Sequence, residues 1–429
     1  QPGIEGASKG IYAPTLRHHG DRFYLITTNM NEIRRGHLIV HSPDPEGPWS
    51  EPVYTSGAIG IDPDLAWDDD GTCYLTWCDV VRHSISQAVV DPLSGEILSE
   101  PKTLWAGSGL ANTEGPHLHR RGEWWYLVVA EGGTHTGHGV SVARSRSISG
   151  PFEGHPSNPV FSHRSTAHPV QATGHADFVE LVDGSWAAVH LGIRLRGTFP
   201  RFHVTGRETF IVGIDWVDDW PVFDEERFAV EPQDTAFADS FDGPLHLRWV
   251  GPGQDPAEFA QTGSEGLSLR AEHGTATLCT RIRDHEWSAR AELTEGGGGL
   301  SVRIDEQHSF GLAVAGGDVE VVQVVGSTRT VLASAPAAAP CELVLSAEPA
   351  PQRSFRAGPD RLRAGVIESD GSTRWLAGVD GRYVSTEVAG GFTGRMMALE
   401  ADAGGATFRS VRYTPGPVRD TAPATSPSD

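Results

Sequence analysis

The sequence predicts an all-β protein in which an incomplete β-propeller is followed by a β-sandwich. Glycine and proline are abundant (51 and 29 of 429 residues) and no long helical heptads occur, which favours short strands joined by turns. A hairpin motif recurs about every fifty residues in the first half of the chain. Near residue 235 this repeat gives way to a different run of alternating strands.

The recurring motif is a strand, a turn glycine and a second strand. Three clear copies have their turn glycines at Gly20, Gly71 and Gly122, and a looser fourth copy has Gly184. A period of about fifty residues with one turn glycine per unit is typical of propeller blades, which bury their faces against one another. The first copy begins close to residue 1, so we expect a propeller that is open where its first blade would stand.

The domain boundaries follow from the same patterns. We expect a propeller at residues 1–230, incomplete at its N-terminus, and a separate sandwich at residues 235–414, which includes alternating strands such as Trp287–Leu293. The segment 415–429 is rich in proline, serine and threonine and cannot bury enough apolar surface to order itself. We therefore expect a disordered tail.

Charge and cysteine content narrow the classes of partner. The net charge of −22 repels phosphate backbones and anionic membranes, so we expect no nucleic-acid and no membrane partner. The four cysteines lack metal-type spacing and do not frame a disulfide scaffold. They favour a reducing, cytoplasmic location in a bacterium, while secretion stays open because we expect the native N-terminus to be missing.

Three ionisable residues share one position in successive blades. Asp62, Glu114 and His175 each stand three or four residues before the first apolar residue of an inner strand. Inner strands run along the propeller axis, so we expect these side chains to converge at one end of the channel. Taken singly, they could be a turn residue, a solvated loop carboxylate and a structural histidine. Their shared register favours a common pocket instead.

Two carboxyl groups in unequal environments are what glycosidic cleavage requires, since one must be protonated and the other ionised. Sugars are neutral polyols with apolar faces and suit an acidic pocket with aromatic walls. The acidic run at residues 68–70 lies in a hairpin turn, where aspartate is common, so we assign no metal there. These residues predict a protein that acts on carbohydrate.

Several short motifs carry a resemblance to a known family. They are Gly10–Thr15, Ile61–Leu65, Thr113–Leu118, Ala130–Thr134, Ala172–Asp177 and Gly206–Thr209. Together they resemble glycoside hydrolase family 43, in its β-xylosidase and α-L-arabinofuranosidase branch. Ser385–Glu387 and Gly391–Gly394 resemble motifs of the concanavalin-like jelly-roll sandwich that follows the propeller in these enzymes.

The resemblance implies a five-bladed propeller, of which four blades are present, and an inverting hydrolase. Its substrates would carry terminal β-1,4-linked xylose or α-L-arabinofuranose on xylan-derived oligosaccharides. Glu114 matches the general acid, and Asp62 matches the carboxylate that tunes this acid and orients the substrate. The family's general base, an aspartate in an Asp-Pro motif, has no counterpart in the sequence. We therefore expect the chain as given to be nearly inactive.

The resemblance also implies contacts to the substrate. His175 resembles an axial histidine that orients the site or holds a calcium ion or water, and Arg207 resembles a contact to a sugar hydroxyl. Tyr12 stands at a stacking position, and Trp77 would line the pocket wall. Phe392 resembles a sandwich residue that covers the pocket, with plain core packing as the alternative. No cofactor is required, and a structural calcium ion at the axis is compatible with the resemblance.

Two other interpretations stay open. One is a carbohydrate-binding propeller protein without catalysis, and the other is a scaffold for protein interactions, in which the axial carboxyl groups would be unnecessary. Both xylose and arabinofuranose stay open as the terminal sugar. An open propeller edge would also favour a homo-oligomer that covers it.

Overall fold

The computed structural model describes residues 8–271, 274–337, 339–350 and 356–417. The chain forms two compact units. The propeller unit comprises residues 9–193 and 208–231, and the sandwich unit comprises the described residues of 1–8, 194–207 and 232–429. Regular structure is almost entirely β, as predicted. The helices of the described ranges are Met30–Arg35, Pro256–Glu258, Gly381–Val384 and Thr386–Ala389. None of these is long and apolar enough to cross a membrane.

The propeller unit contains four antiparallel sheets of four strands, which confirm the four predicted blades. Blade 1 consists of β1 (Thr15–His19), β2 (Arg22–Thr27), β3 (Leu38–Ser42) and β4 (Val53–Tyr54). Blade 2 consists of β5 (Gly60–Trp67), β6 (Cys73–Asp79), β7 (Ser84–Val89) and β8 (Lys102–Trp105). Blade 3 consists of β9 (Glu114–Arg121), β10 (Trp124–Glu131), β11 (Gly139–Ser145) and β12 (Glu153–Gly154).

Blade 4 is interrupted by a short hairpin that belongs to the sandwich unit. Its strands are β13 (Val170–Glu180), β14 (Trp186–Arg194), β17 (Glu208–Val217) and β18 (Trp220–Asp224), and the hairpin is β15 (Arg196–Gly197) with β16 (Arg201–Phe202). Residues 194–207, which the sequence analysis placed in the propeller, group with the sandwich unit. Arg281 of that unit donates hydrogen bonds to the carbonyl oxygens of Thr205 and Arg207, both at 2.7 Å.

The first hairpin of every blade turns at a glycine with positive φ. Gly20, Gly71, Gly122 and Gly184 have φ values of 63°, 83°, 59° and 80°, a region that other residues enter at a cost. The hydrophobic cores lie between successive blades. Ile26 and Leu75 share one cluster, Leu104 and Leu127 a second, and Val128 and Phe178 a third. Each blade is thus stabilised by burying a face against the next one.

Apart from the β15–β16 hairpin, the described strands of the sandwich unit form one continuous antiparallel network around a hydrophobic core. In chain order they are β19 (Phe237–Asp239), β20 (Ala260–Gly263), β21 (Gly266–Leu269), β22 (Ala276–Arg281), β23 (Trp287–Arg303), β24 (His308–Ala315), β25 (Asp318–Val325), β26 (Thr328–Pro336), β27 (Cys341–Glu348), β28 (Arg361–Ile367), β29 (Thr373–Asp380) and β30 (Met396–Pro415).

Two long strands run through both layers of the sandwich. The first part of β23 pairs with β27 and its last part with β24, and the register against β30 shifts around Leu293–Gly298 between them. Bulges of this kind bend a strand. Trp287 and Leu300, from the two parts, are both buried in the same core. β30 ends at Pro415, one residue into the predicted tail, and residues 418–429 lie outside the described ranges.

Candidate active site

The inner strands of blades 2, 3 and 4 each carry one residue with a left-handed backbone, and the predicted residues Asp62, Glu114 and His175 lie at or next to these positions. Asp62, Gly115 and His175 have φ values of 52°, 58° and 53°. The register shifts beside Asp62 in β5 and opposite Gly115 in β9, so these two positions are β-bulges. β-Bulges are common next to active sites, where they change the direction of a side chain. Gly115 is the repeat equivalent of Asp62 and His175, and Glu114 stands one residue earlier.

The carboxylate of Asp62 joins all three inner strands. Its Oδ2 accepts a hydrogen bond from the backbone N–H of Gly115 at 3.0 Å and lies 3.3 Å from Nε2 of His175. Asp62 itself is buried. Burial alone would raise the pKa of Asp62, but the charge of His175 and the hydrogen bonds from His175 and Gly115 together lower the pKa. Asp62 is therefore ionised at neutral pH.

Gly115 brings the backbone beside Glu114 close to the imidazole of His175. A Cβ at this position would lie 3.0 Å from the ring atoms of His175, on a residue with φ +58°. A larger residue would therefore meet both backbone strain and a close contact. Glu114, which is half-buried, directly precedes this glycine, whose N–H is bonded to Asp62.

Cys78 lies close to both carboxyl groups. Burial, and then the negative charges of Asp62 and Glu114, raise the pKa of Cys78 to about 12, so its thiol stays protonated. The thiol lies 3.4 Å from the carbonyl oxygen of Thr113, to which it donates a hydrogen bond. This contact holds the peptide that leads directly into Glu114. All four cysteines are free thiols.

Glu131, at the end of β10, fastens the segment before Glu114 from the other side. Its fully buried carboxylate accepts hydrogen bonds from the N–H of Ser108 at 2.9 Å, the hydroxyl of Ser108 at 2.6 Å and the hydroxyl of Thr113 at 3.0 Å. Thr113 is thus held by both Cys78 and Glu131. The position of Glu114 is set by this support as well as by its own strand.

A second set of charged side chains lies two residues further along the same inner strands. Arg17 of β1 lies 2.8 Å from the carboxylates of both Asp64 and Asp177, and 3.1 Å from Nδ1 of His117. His119 contacts Asp177 at 2.9 Å. This cluster, called here the Arg17 network, joins the inner strands of all four blades.

Within the Arg17 network, Arg17 and Asp177 are held in their ionised states. Burial opposes the charge of Arg17, but the carboxylates of Asp64 and Asp177 raise the pKa of the guanidinium. Burial likewise opposes the charge of Asp177, but His117 and Arg17 nearby keep the pKa of that carboxyl well below its ordinary value. Removing one partner of such a buried ion pair strongly destabilises the protein, because it leaves the other charge uncompensated.

The Arg17 network and the role of Glu131 were not predicted from the sequence. A signal for part of the network was present, because Asp64, His117 and Asp177 each stand directly before the first apolar residue of an inner strand. Glu131 falls inside one of the family motifs, but nothing in that motif indicates the contact with the segment at 108–113.

Trp77 and Tyr12, two predicted substrate contacts, differ in burial. Trp77 is fully buried in the core between blades 1 and 2, so it offers no surface to a sugar, and this position does not fit the predicted substrate contact. Tyr12 is half-buried before β1, where its N–H donates to the carbonyl oxygen of Thr28 at 2.9 Å. Its role in stacking stays a prediction.

Arg207 and Phe392 lie together in the sandwich unit. The guanidinium of Arg207 lies over the ring of Phe392, 4.4 Å from its centre, in a cation–π contact. Phe392 is 44% exposed and is thus not a core residue. Its N–H donates to the hydroxyl of Ser8 at 2.8 Å. The two predicted substrate contacts thus form one pair, with Arg207 half-buried and Phe392 exposed, and their contact with a sugar stays a prediction.

The acidic run at 68–70 forms the expected hairpin turn. The N–H of Gly71 donates to the carbonyl oxygen of Asp68, and Asp69 pairs with Arg120. This run is therefore used in a turn and an ion pair, in agreement with the sequence analysis. A calcium ion at the axis stays a prediction.

The inner-strand motifs can now be compared with those of known proteins. Residues 1–221 match the model of Glycosyl hydrolases family 43. The chain belongs to this family. The resemblance found in the sequence is thereby confirmed.

Relatives of this family 43 chain carry related names. A protein of Butyrivibrio fibrisolvens named "Xylosidase/arabinosidase" is 40% identical over 230 residues, which are 50% of this chain and 43% of that protein. "Non-reducing end alpha-L-arabinofuranosidase BoGH43B" of Bacteroides ovatus is 31% identical over 441 residues, covering 94% of this chain and 80% of the relative. The match thus spans less than half the length of the Butyrivibrio protein.

The fold is shared along almost the whole chain. The solved structure titled "Bacteroides ovatus Xyloglucan PUL GH43B" superposes with a TM-score of 0.83 at 28% identity. It covers 95% of this chain and 86% of that structure's chain. The propeller and the sandwich are therefore the fold of this family 43 protein.

Proposed function

We propose that this family 43 chain acts as a glycosidase that removes terminal β-1,4-linked xylose or α-L-arabinofuranose from xylan-derived oligosaccharides by inversion. Glu114 is the general acid, and Asp62 is the ionised carboxylate that tunes and orients it. The observation that carries the proposal is the hydrogen bond from the N–H of Gly115, the residue after Glu114, to the buried Asp62 carboxylate.

The two carboxyl groups divide the chemistry between them. Glu114 donates its proton to the glycosidic oxygen as the bond to the anomeric carbon breaks. A water molecule attacks the opposite face of the sugar and gives its proton to a general base other than Glu114 and Asp62. The negative charge of Asp62 disfavours a second negative charge beside it, so Glu114 stays protonated until that step. Glu114 is the more exposed of the two, as an acid that must reach a sugar oxygen requires.

The substrate class rests on the relatives. One is named xylosidase/arabinosidase and another non-reducing end α-L-arabinofuranosidase, which supports a terminal pentose as the sugar removed. The reaction needs no cofactor, since protons and water are its only co-reactants. An axial calcium ion would have a structural role.

The test uses the product of the complete gene, so that any residues preceding Gln1 are present. Glu114→Gln should lower kcat on xylobiose or an arabinofuranosyl-xylo-oligosaccharide by ~10²–10⁴-fold, the usual contribution of a general acid. The loss should be much smaller on 2,4-dinitrophenyl glycosides, whose leaving group needs no proton. Glu123→Gln, at an exposed glutamate in the β9–β10 hairpin, is the control.

The outcomes distinguish the proposal from its alternative. Equal losses on both kinds of substrate would show that Glu114 is not the proton donor. Proton NMR of the first anomer formed tests inversion, and retention would contradict it. Calorimetric binding of xylobiose without turnover in the same preparation would instead identify a carbohydrate-binding protein.

A further inference from the structure

Two histidines and a glutamate come together in blade 4, on segments outside its strands. His163 and His168 precede β13, and Glu225 directly follows β18. One ligand atom from each lies within 4.8 Å of the other two. β13 is the innermost and β18 the outermost strand of this blade, so the cluster joins segments from its two sides.

The contact between His163 and Glu225 lacks the alignment of a hydrogen bond. Nε2 of His163 lies 2.9 Å from Oε2 of Glu225, yet this buried nitrogen has no hydrogen-bond partner in the described structure. An ion pair of protonated imidazole and carboxylate would point the N–H at the oxygen. Two ligands of one tetrahedral metal ion instead approach to about 3.3 Å while both point at the ion. The two contacts of Glu225 Oε2, 2.9 Å to Nε2 of His163 and 3.8 Å to Nε2 of His168, lie on either side of this separation.

The other ring nitrogen of each histidine is already held. Nδ1 of His163 lies 2.9 Å from the carbonyl oxygen of Val170, to which an Nδ1–H group donates a hydrogen bond. In the neutral ring this tautomer leaves a lone pair on Nε2. Nδ1 of His168 lies 3.0 Å from the same oxygen and 3.2 Å from the N–H of Val170. A cation on Nε2 of His168 selects the form in which Nδ1 donates to that oxygen. Metal-binding histidines are usually supported in this way.

We propose that His163, His168 and Glu225 bind a zinc ion. Two imidazole nitrogens and one carboxylate oxygen form a borderline-soft donor set that suits zinc, whereas calcium takes six to eight oxygen ligands. The side chains of His168 and Glu225 are 39% and 42% exposed, so an ion reaches the site from solution. His163 is 6% exposed and anchors the ion from within. Water completes the fourth position.

The bound ion would fasten the segment before β13 to the end of β18. β13 also carries His175 and Asp177. Zinc would therefore stabilise the strand from which blade 4 contributes its axial residues. An ion that binds the folded state but not this geometry in the unfolded chain raises the melting temperature. The site does not depend on the proposed hydrolytic function, and its test needs no activity measurement.

The test is calorimetric titration of the full chain, without an affinity tag and stripped of metals by a chelator, with zinc chloride. We expect one zinc ion per chain and a rise in melting temperature on zinc addition. Titration with cobalt(II) should give the visible absorption bands of a tetrahedral ion. Glu225→Gln and His168→Gln should each weaken zinc binding at least tenfold and remove most of the thermal shift.

The two variants change partly exposed side chains, so they are expected to fold, which circular dichroism checks. His163→Gln, a buried change, is a supporting variant only. His246→Gln, at an exposed histidine of the sandwich unit, is the control and should bind zinc like the parent. Absence of zinc binding by the parent, or unchanged affinity in both Glu225→Gln and His168→Gln, would overturn the proposal.

Discussion

The N–H of Gly115 donates a hydrogen bond to Oδ2 of Asp62 at 3.0 Å. This bond links the bulge of β5 to the residue that follows Glu114 in β9. Asp62 therefore acts on the proposed acid in two ways, through its negative charge and through the position of the backbone. The two effects are separable, because an asparagine at residue 62 keeps an oxygen for the hydrogen bond and loses the charge.

Asp62→Asn should lower kcat and move the alkaline limb of its pH profile to lower pH. Without the negative charge, ionisation of Glu114 becomes easier, so the protonated acid is lost at a lower pH. We expect a loss of ~10²-fold or more at the optimum. The measurement is kcat against pH on xylobiose with the complete gene product. Asp21→Asn, at a side chain 89% exposed, is the control, and an unmoved alkaline limb would contradict the role of Asp62.

The blades and the axial residues could be predicted because both follow from short-range rules. Strand alternation and a repeated turn glycine define each blade, and residues equivalent in the repeat meet at the axis. Asp62 and His175 could thus be placed together from the sequence. Alternation also puts Trp77 on the same buried face of β6 as Leu75, and here it was a better guide than family resemblance.

The remaining site residues depend on contacts between distant segments. Arg17 looks like an ordinary strand residue until blades 2 and 4 bring Asp64 and Asp177 to it. Glu131 contacts Ser108 only because β10 ends beside the segment that enters β9. Side-chain partners of this kind are chosen by packing, which a local pattern does not specify.

Gly115→Ala should destabilise the protein more than Gly122→Ala. The two glycines have almost the same φ, 58° and 59°, so the backbone strain of alanine is matched, at ~1–2 kcal/mol. A Cβ at Gly122 has no atom within 4 Å, whereas one at Gly115 lies 3.0 Å from the His175 ring. We expect ~1–3 kcal/mol of additional destabilisation at Gly115 from this close contact. Urea unfolding of both variants measures the difference, and equal unfolding free energies would contradict the packing argument.

Glu131→Gln should lower both stability and kcat, although the side chain touches no proposed substrate atom. The glutamine amide nitrogen replaces one acceptor oxygen, either the one that accepts from the Ser108 hydroxyl or the one that accepts from the Ser108 N–H and the Thr113 hydroxyl. At least one charge-assisted buried hydrogen bond is thereby lost, at ~1–3 kcal/mol. The freed segment would move Glu114, so we expect kcat to fall with little change in KM. Glu123→Gln, the exposed control, should alter neither. Unfolding titrations and Michaelis–Menten kinetics test both parts, and an unchanged kcat in a destabilised variant would limit Glu131 to a structural role.

Arg17→Met should destabilise the protein at neutral pH and should do so less as the pH falls. At pH 7 the change leaves the carboxylates of Asp64 and Asp177 without their cation, at ~3–5 kcal/mol. The native pKa of Asp177 lies well below its ordinary value, so the stabilisation from its charge is complete above that ordinary value and is lost as the pH falls through the native one.

The gap in unfolding free energy between the parent and Arg17→Met should therefore be constant from pH 7 to about 5 and should narrow below about 4, where aspartate in the unfolded chain takes up protons. Arg120→Met is the control, because its partner Asp69 has a side chain 79% exposed and the pair is screened by solvent. Its stability should follow the parent at every pH. Denaturant unfolding at each pH gives the three curves, and a gap that stays constant down to pH 2 would show that Arg17 stabilises the four inner strands by packing and not by its charge.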